Sequence, residues 1–121
     1  MSHQNVLLVD DDAIVRQVLR RSLNRIQPSL SVIEAATVAA ALNALEHNPI
    51  IMVVTDFHLP DGTGLSVLAA ARSRKPALPV LVISSDPHVA TIANNEGAYA
   101  FLLKPFALDQ LFNILLQLVN R

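Results

Sequence analysis

Residues 50–64 read IIMVVTDFHLPDGTG, and this stretch sets the plan of the whole chain. Five of its first six side chains are apolar, which is typical of a buried strand. Asp56 follows that run, and residues 60–62 (PDG) are all turn formers. A helix is expected next, from about Gly64 to Arg74, and the prolines beyond it would close it. The stretch therefore predicts a strand, an acidic strand end, a turn and a helix.

The same alternation of apolar runs and helical patterns repeats towards both ends of the chain. Four further strands are expected, at Val6–Val9, Ser31–Ala35, Val80–Ile83 and Ala100–Leu103. One further helix is expected around the apolar face that runs from Val15 to Ile26, and Pro28 would stop it. The others are expected from a Thr37 cap to about Glu46, from a Ser85 or Asp86 cap to about Asn94–Gly97, and from Leu108 to Asn120. This rhythm predicts parallel strands joined by right-handed crossovers, which is a doubly wound (βα)5 sandwich of the α/β class.

Length and composition exclude several classes of protein. A chain of 121 residues fits one domain, and its net charge of −1 gives no basic excess for nucleic acid or an anionic membrane. The absence of cysteine excludes disulfides, Cys-ligated zinc and a catalytic thiol. The longest stretches without charge, 35–45 and 110–120, have 11 residues each, short of the ~20 apolar residues that a membrane span needs. The start, MSHQN, is not a secretory signal, so we expect a cytoplasmic domain.

Polar side chains directly follow four of the five expected strands. They are Asp10, Asp11 and Asp12 after the first strand, Asp56 after the third, Ser84 after the fourth and Lys104 after the fifth. In open parallel sheets, ligands bind outside the carboxyl ends of the strands, so we expect these side chains to share one edge. Clustered carboxylates repel one another and need a cation, and an oxygen-only donor set suits Mg²⁺. With a lysine and a hydroxyl beside them, the carboxylates suit phosphoryl transfer onto one of their number.

Four segments together carry a resemblance to a known family. They are VLLVDDDAIVR (6–16), TDFHLPDGTG (55–64), VLVISSD (80–86) and FLLKPF (101–106). In this order and at these spacings they resemble the receiver domains of bacterial two-component response regulators. The resemblance covers essentially the whole chain and implies a single receiver domain over residues 1–121. It also implies a flavodoxin-like fold with strand order 2-1-3-4-5.

The resemblance implies a role for each acidic residue of the expected site. Asp56 matches the phosphoacceptor. Asp11 would bind Mg²⁺ directly and Asp10 through water, and the backbone carbonyl of His58 would supply a further metal ligand. Mn²⁺ is the alternative ion. His58 and Asp86 match two variable positions that tune hydrolysis of the acyl phosphate by controlling access of water.

The remaining matched residues would respond to the phosphoryl group. Ser84 matches a hydroxyl position that moves towards the phosphoryl group, and Phe101 matches an aromatic switch that then turns inward. Lys104 would pair with the carboxylate and then with the phosphate. The peptide bond before Pro105 is often cis in this family, which would aim the lysine at the site.

The expected function is a phosphorylatable signalling switch. A histidine kinase or a phosphotransfer protein would supply the phosphoryl group, and an output domain or partner protein would sense the surface of helix 4, strand 5 and helix 5. The protein would catalyse its own phosphotransfer and dephosphorylation but would not be an enzyme that acts on a metabolite. No direct contact with nucleic acid is expected. The alternative is a non-phosphorylated interaction module that keeps the fold.

The last helix has two apolar stripes. Leu108, Leu111, Leu115 and Leu118 are expected to face inward, as are Ala41, Leu42 and Leu45 of the second helix. Phe112, Leu116 and Val119 form the second stripe, which we interpret as an exposed partner surface. Residues 110–120 carry no charge, which disfavours a homodimer held by charged pairs and leaves an apolar contact open. The alternatives are a wider buried face and a stripe that is covered by another part of a parent protein.

Single residues outside these patterns have simpler interpretations. Asp12 is interpreted as a first-turn or N-cap acid of the first helix and not as a metal ligand. The arginines of that helix, at 16, 20, 21 and 25, are interpreted as a solvated face, with an acidic partner or nucleic acid as the alternative. His58 and His88 lie on separate loops and are disfavoured as a metal pair.

Two other architectures with an acid after a strand fit less well. A phosphatase of the haloacid dehalogenase type needs a second Asp two residues after the first, where this chain has His58. A flavin-binding module needs a phosphate-cradling loop after the first strand, where residues 10–12 would repel a phosphate.

Overall fold

Five strands and five helices alternate along the chain in the computed structural model, which describes residues 4–74 and 76–120. The first three residues of the MSHQN start therefore lie outside the described residues. The elements are β1 Asn5–Val9, α1 Ala13–Ile26, β2 Ser31–Ala35, α2 Val38–His47, β3 Ile50–Asp56, α3 Gly64–Arg72, β4 Val80–Ser84, α4 Val89–Asn95, β5 Ala100–Leu103 and α5 Leu108–Val119. A small hairpin pairs His58–Leu59 with Gly62–Thr63 between β3 and α3, and we call residues 58–63 the 58–63 hairpin.

The five strands form one parallel sheet in the order β2-β1-β3-β4-β5, which confirms the expected order and fold class. The registers align the carboxyl ends of the strands. Val9 of β1 lies opposite Thr55 of β3, and Asp56 lies opposite Ile83 of β4. The residues that follow these strands therefore emerge at the same edge of the sheet.

The sheet is buried on both faces, and its apolar runs supply both cores. Alternate residues of β1 face opposite sides, so Leu7 packs with α2, α3 and α4, whereas Leu8 packs with α1 and α5. Both side chains are fully buried, and burial of a leucine stabilises a fold by roughly 1.5–3 kcal/mol. No helix in the two described ranges is long and apolar enough to cross a membrane.

Short polar side chains begin three of the helices. Asp12 accepts a hydrogen bond from Ile14 N at 2.9 Å and so caps α1, as predicted. Thr37 accepts from Ala40 N at 3.0 Å and caps α2, also as predicted. Thr63 accepts from Leu65 N and caps α3. These caps fix where each helix starts relative to the edge of the sheet.

Two helix boundaries differ from the predictions. The α3 helix ends at Arg72 and not at Arg74. The α4 helix begins at Val89, and its cap position, His88, makes no capping bond through its side chain. Asp86 instead accepts from His88 N and belongs to a turn that precedes the helix. The predicted left-handed end of α4 is present at Gly97, where φ is +90°.

Two leucines that were predicted to face inward are exposed. Leu42 is 37% exposed, because the buried stripe of α2 runs through Ala41, Ala44 and Leu45 and leaves Leu42 at its margin. Leu108 is 64% exposed, because α5 begins at the carboxyl edge of the sheet, where fewer side chains cover its first turn.

The second stripe of α5 is only partly the exposed surface that was predicted. Leu116 is 37% exposed, but Phe112 and Val119 are half-buried. Val119 packs against the core on the α1 and α5 side, and the Arg25 guanidinium lies 5.3 Å from the centroid of the Phe112 ring. The expectation that Phe112 and Val119 are exposed is therefore wrong, because α1 and its arginine cover part of this stripe, while contact of the stripe with a partner stays a prediction.

Leu115 and Leu116 are neighbours in α5 with opposite surroundings, and they form a matched pair. Leu115→Ala is expected to lower the free energy of unfolding by about 2–5 kcal/mol, because the buried side chain would leave a cavity. Leu116→Ala is expected to change it by less than about 1 kcal/mol, because that side chain already contacts water. Urea unfolding followed by circular dichroism measures both changes. Losses of equal size would contradict the assigned faces of α5.

Candidate functional site

The carboxyl edge of the sheet gathers the polar residues that were predicted to meet there. Asp10, Asp56 and Ser84 are buried, Lys104 is half-buried and Asp11 is exposed. All of them lie at the carboxyl ends of β1, β3, β4 and β5, so the parallel sheet itself brings them together. Asp12 lies outside the group as a helix cap, which confirms its separate interpretation.

Three carboxylates at this edge lie close enough to share a cation. One oxygen from each of Asp10, Asp11 and Asp56 lies within 4.8 Å of the others. This donor set is entirely oxygen and is open on the Asp11 side, which fits Mg²⁺ or Mn²⁺ and gives no soft ligand for zinc or copper. Neither His58 nor His88 belongs to this cluster. The ligand role of the His58 backbone carbonyl stays a prediction.

Lys104 connects the two buried acids. Its Nζ lies 3.3 Å from Asp10 Oδ2 and 3.3 Å from Asp56 Oδ2. Burial alone would lower the pKa of Lys104, but the charges of Asp10 and Asp56 outweigh it and raise that pKa above its usual value. Lys104 therefore stays protonated and offsets part of the repulsion between the acids. The Lys104–Pro105 peptide bond is cis, as the resemblance implied.

The Asp10 carboxylate is the member of the cluster whose charged form is disfavoured. Burial raises the pKa of the Asp10 carboxyl, and the negative charge of Asp56 raises it further. The Asp12 backbone N–H, which donates to Asp10 Oδ1 at 2.9 Å, and the charge of Lys104 oppose this rise without cancelling it. The buried acid thus lacks positive charge, which is what a bound divalent cation would supply.

The backbone on either side of Asp56 is tightly enclosed. Gly64 N donates to Phe57 O at 2.7 Å, and the Thr55 hydroxyl donates to Asp56 O at 2.9 Å. A Cβ on Gly64 would lie only 2.6 Å from Asp56 O, closer than real side chains approach a carbonyl. The glycine is therefore required at this position, because the start of α3 packs directly onto the strand end that presents Asp56.

An arginine and glutamate pair supports Asp10 from the edge strand, which sequence analysis did not anticipate. Arg16 donates through Nη1 to Asp10 O and through Nε to Glu34 Oε1, the latter at 2.7 Å. Arg20 also pairs with Glu34, and hydrogen bonds from Arg20 and Arg16 lower the pKa of that carboxyl. The prediction of a solvated face is thus wrong for Arg16, which is half-buried, whereas Arg20 is exposed as predicted and pairs with Glu34 at the surface. The i, i+4 spacing of Arg16 and Arg20 was the signal in the sequence, whereas the register that places Glu34 beside Leu8 of β1 is seen only in the structure.

Ser84 and Phe101 occupy the positions expected of a switch. Ser84 is fully buried, and its Oγ accepts a hydrogen bond from Asp86 N at 3.1 Å. Phe101 is half-buried, packs against the core on the α2, α3 and α4 side, and lines a cavity of about 70 Å³ beside Ala90. Whether they move remains a prediction. Asp86 is half-buried next to Ser84, whereas His58 is exposed with its ring 5.1 Å from that of Phe57.

The arrangement supports chemistry at a carboxylate. Asp56 offers a nucleophilic oxygen, Lys104 offers a positive charge beside it, and Ser84 offers a hydroxyl at the end of the next strand. A group with several negative oxygens could bind there only with a cation, because the acids alone would repel it. A phosphoryl group with a divalent cation meets these requirements.

Comparison with known proteins finds relatives over most of the chain. A family model for the response regulator receiver domain matches residues 6–116. The chain is 35% identical over 113 residues to the DNA-binding transcriptional regulator NtrC of Proteus hauseri, a match that covers 91% of this chain and 23% of that protein. It is also 35% identical over 113 residues to the response regulator protein PilR of Pseudomonas aeruginosa, with 92% of this chain and 25% of that protein covered. The chain thus spans about a quarter of the length of these curated relatives.

Solved structures show the same architecture. The non-phosphorylated HemR receiver domain of Leptospira biflexa has a TM-score of 0.84 against this chain. It is 28% identical, and the match covers 98% of this chain and 95% of that one. The chemotaxis response regulator CheY4 of Vibrio cholerae has a TM-score of 0.82 with 25% identity, covering 97% of this chain and 99% of that one.

Removal of the negative charge of Asp10 is predicted to stabilise the metal-free protein. A carboxyl whose pKa is raised by folding binds its proton more tightly in the folded state, so ionised Asp10 destabilises the metal-free protein above that pKa. Asp10→Asn is expected to raise the free energy of unfolding at pH 7 in the absence of divalent cations, because the amide carries no charge to bury. The gain should shrink as the pH falls through the raised pKa of folded Asp10, and it should be lost once the pH is below the pKa of an unfolded aspartate, about 3.9.

Thermal unfolding of the wild type and Asp10→Asn in chelator, at pH 7 and pH 4, measures this difference. Asp109→Asn, which changes an exposed carboxylate on α5, controls for the loss of one negative charge. A lower melting temperature for Asp10→Asn at pH 7 would show that the ion pair with Lys104 outweighs the burial and repulsion.

Proposed function

The chain belongs to the response regulator receiver domain family, and on that premise we propose that it is a signalling switch phosphorylated on Asp56 in a Mg²⁺-dependent reaction. The observation that carries the proposal is the position of Asp56. Its carboxylate lies 3.3 Å from Lys104 Nζ and within 4.8 Å of oxygens of Asp10 and Asp11. A carboxylate flanked by a lysine and by a metal-binding acid pair is arranged to accept a phosphoryl group.

The proposed reaction transfers a phosphoryl group from the phosphohistidine of a histidine kinase or a phosphotransfer protein. A carboxylate oxygen of Asp56 attacks phosphorus, and the new O–P bond forms as the P–N bond breaks. The imidazole nitrogen leaves with the bonding electron pair. Mg²⁺ bound by the acid cluster, or Mn²⁺ in its place, would supply positive charge to the phosphoryl oxygens.

Lys104 has two successive tasks in this proposal. Before transfer, it holds Asp10 and Asp56 at one spot and reduces their mutual repulsion. After transfer, the negative charge of Asp56 has moved onto the phosphoryl oxygens, so Lys104 can turn from the carboxylate to pair with them. The raised pKa of Lys104 keeps it charged for both tasks.

Hydrolysis would end the signal. A water oxygen attacks phosphorus, and the Asp56 carboxylate leaves as inorganic phosphate forms. His58 lies two residues after Asp56, and Asp86 lies two residues after Ser84. His58 is exposed and Asp86 is half-buried, which supports a role for both in the access of water to the site. The chain would therefore catalyse reactions of its own aspartate and not of a metabolite.

The proposed output surface lies on α4, β5 and α5. Ile92 of α4 and Leu103 of β5 are large apolar side chains that are exposed, as are Tyr99 before β5 and Leu116 of α5. Ser84 and Phe101 connect this surface to the site, and their rearrangement on phosphorylation would alter it. An output domain, a partner protein or a second copy could read the change. The relatives include DNA-binding regulators, but the net charge of −1 gives no support for DNA contact by this chain.

Asp56→Asn provides the direct test of the proposal. The protein is incubated with a small acyl-phosphate donor, with and without Mg²⁺, and its intact mass is measured. The wild type is expected to gain one phosphoryl adduct only with Mg²⁺, and Asp56→Asn none, because the amide lacks a nucleophilic oxygen anion. Asp109→Asn, which changes an exposed acid in the first turn of α5 that is not one of the clustered acids, is expected to be labelled like the wild type.

An unchanged level of labelling in Asp56→Asn would reject Asp56 as the acceptor. No labelling of the wild type, under conditions that label a control receiver domain, would favour the non-phosphorylated interaction module.

A further inference from the structure

Asp61, at the tip of the 58–63 hairpin, makes a two-pronged contact with a helix that is distant in sequence. Its Oδ1 accepts a hydrogen bond from Val38 N at 2.7 Å, and its Oδ2 accepts from Ala39 N at 3.0 Å. Both donors belong to the first turn of α2, where backbone N–H groups have no partner within the helix. These bonds, from Ala39 and then Val38, hold the pKa of Asp61 below its usual value. The side chain therefore bridges two separate segments as an anion.

This contact attaches the tip of a hairpin whose own strand pairing is small. The hairpin has only two residue pairs, His58 with Thr63 and Leu59 with Gly62, and a two-stranded ribbon of that size is marginal alone. Leu59 packs against the core on the α2, α3 and α4 side, and the base is closed by the bond between Gly64 N and Phe57 O. Asp61 supplies the polar attachment of the tip to the rest of the molecule.

The anchored segment leads directly to the acid cluster. The hairpin begins two residues after Asp56, and Asp61 attaches it to the junction between β2 and α2. The same junction holds the other acids, because Asp10 N donates to Ala35 O at 3.0 Å. The five residues from Ala35 to Ala39 are thus a common support for the loop that carries Asp10 and Asp11 and for the loop that follows Asp56.

We propose that Asp61 is a positioning residue for the cation site: its bridge to α2 fixes the strand end bearing Asp56 relative to Asp10 and Asp11, and so sets the affinity for Mg²⁺. Asp61 itself is not one of the three clustered acids. The inference rests on the proposed function only in requiring that the cluster binds Mg²⁺. It does not require that Asp56 is phosphorylated.

Thr37 offers a matched control within the same helix end. Its Oγ accepts from Ala40 N at 3.0 Å, so Thr37→Ala also removes an acceptor from the first turn of α2. Both Asp61→Ala and Thr37→Ala are expected to lower the melting temperature by about 4 °C. Only Asp61→Ala also releases the hairpin.

The experiment is a Mg²⁺ titration of the full chain, followed by the backbone amide signals of residues 10–12 and 56–58 in nuclear magnetic resonance spectra. Asp61→Ala is expected to weaken Mg²⁺ binding by about tenfold, as supporting residues around metal sites do, whereas Thr37→Ala should stay within about twofold of the wild type. Asp61→Asn retains one carbonyl acceptor for Val38 N, so an intermediate affinity is expected. If Asp61→Ala does not fold, Asp61→Asn carries the comparison with Thr37→Ala.

Equal affinities for Mg²⁺ in the Asp61 variants and Thr37→Ala would overturn the proposal and leave Asp61 as a helix cap only. A wild type with no saturable Mg²⁺ binding would overturn it together with the metal-dependent function. A wild type that binds Mg²⁺ but takes no phosphoryl group would overturn the proposed function alone.

Discussion

Lys104 lies between Asp10 and Asp56, 3.3 Å from an oxygen of each, and the site depends on this balance of one positive charge against a cluster of acids. Asp10 is almost fully buried, and this burial raises the pKa of its carboxyl. The lysine stabilises the cluster only in part, so the site retains an affinity for further positive charge. A cation would complete the balance, and phosphorylation of Asp56 would change what the lysine pairs with.

The fold holds these charges together by means that are mostly apolar. Strands buried on both faces cannot slip in register without moving leucines and valines out of two cores, so the strand ends stay aligned. Polar contacts then set the finer positions. Arg16 and Glu34 brace the carbonyl of Asp10, and the absent side chain at Gly64 leaves room for the carbonyl of Asp56.

Most of the fold and the centre of the site could be predicted from the sequence. Apolar runs such as IIMVVT identify strands directly, and the acids directly after them reach the same edge whatever the details of the helices. The resemblance supplied the order of the strands and the roles of the residues. The errors concern faces and ends of helices: periodicity predicted Leu108 to be buried but could not show that the sheet ends near its turn.

The contacts that bring together residues distant in sequence were the least predictable. Asp61 reads as a turn former in the sequence, and its second role as a cap for α2 depends on how the hairpin lies against a helix 22 and 23 residues away. Arg16 reads as a solvated residue, although it lies against an acid on a neighbouring strand. The local sequence pattern shows which type of residue stands at each position, but the hydrogen-bond or ion-pair partner of that residue is determined by the tertiary structure.

The central claim is that Asp56, and no other acid of the cluster, carries the phosphoryl group. Borohydride reduction tests it most directly, because it converts an aspartyl phosphate into homoserine and leaves free carboxylates intact. After labelling with Mg²⁺ and a small acyl-phosphate donor, reduction and peptide mapping are predicted to find homoserine at position 56 alone. Homoserine at position 10 or 11, or at no position in a protein that carries the phosphoryl adduct, would contradict the account.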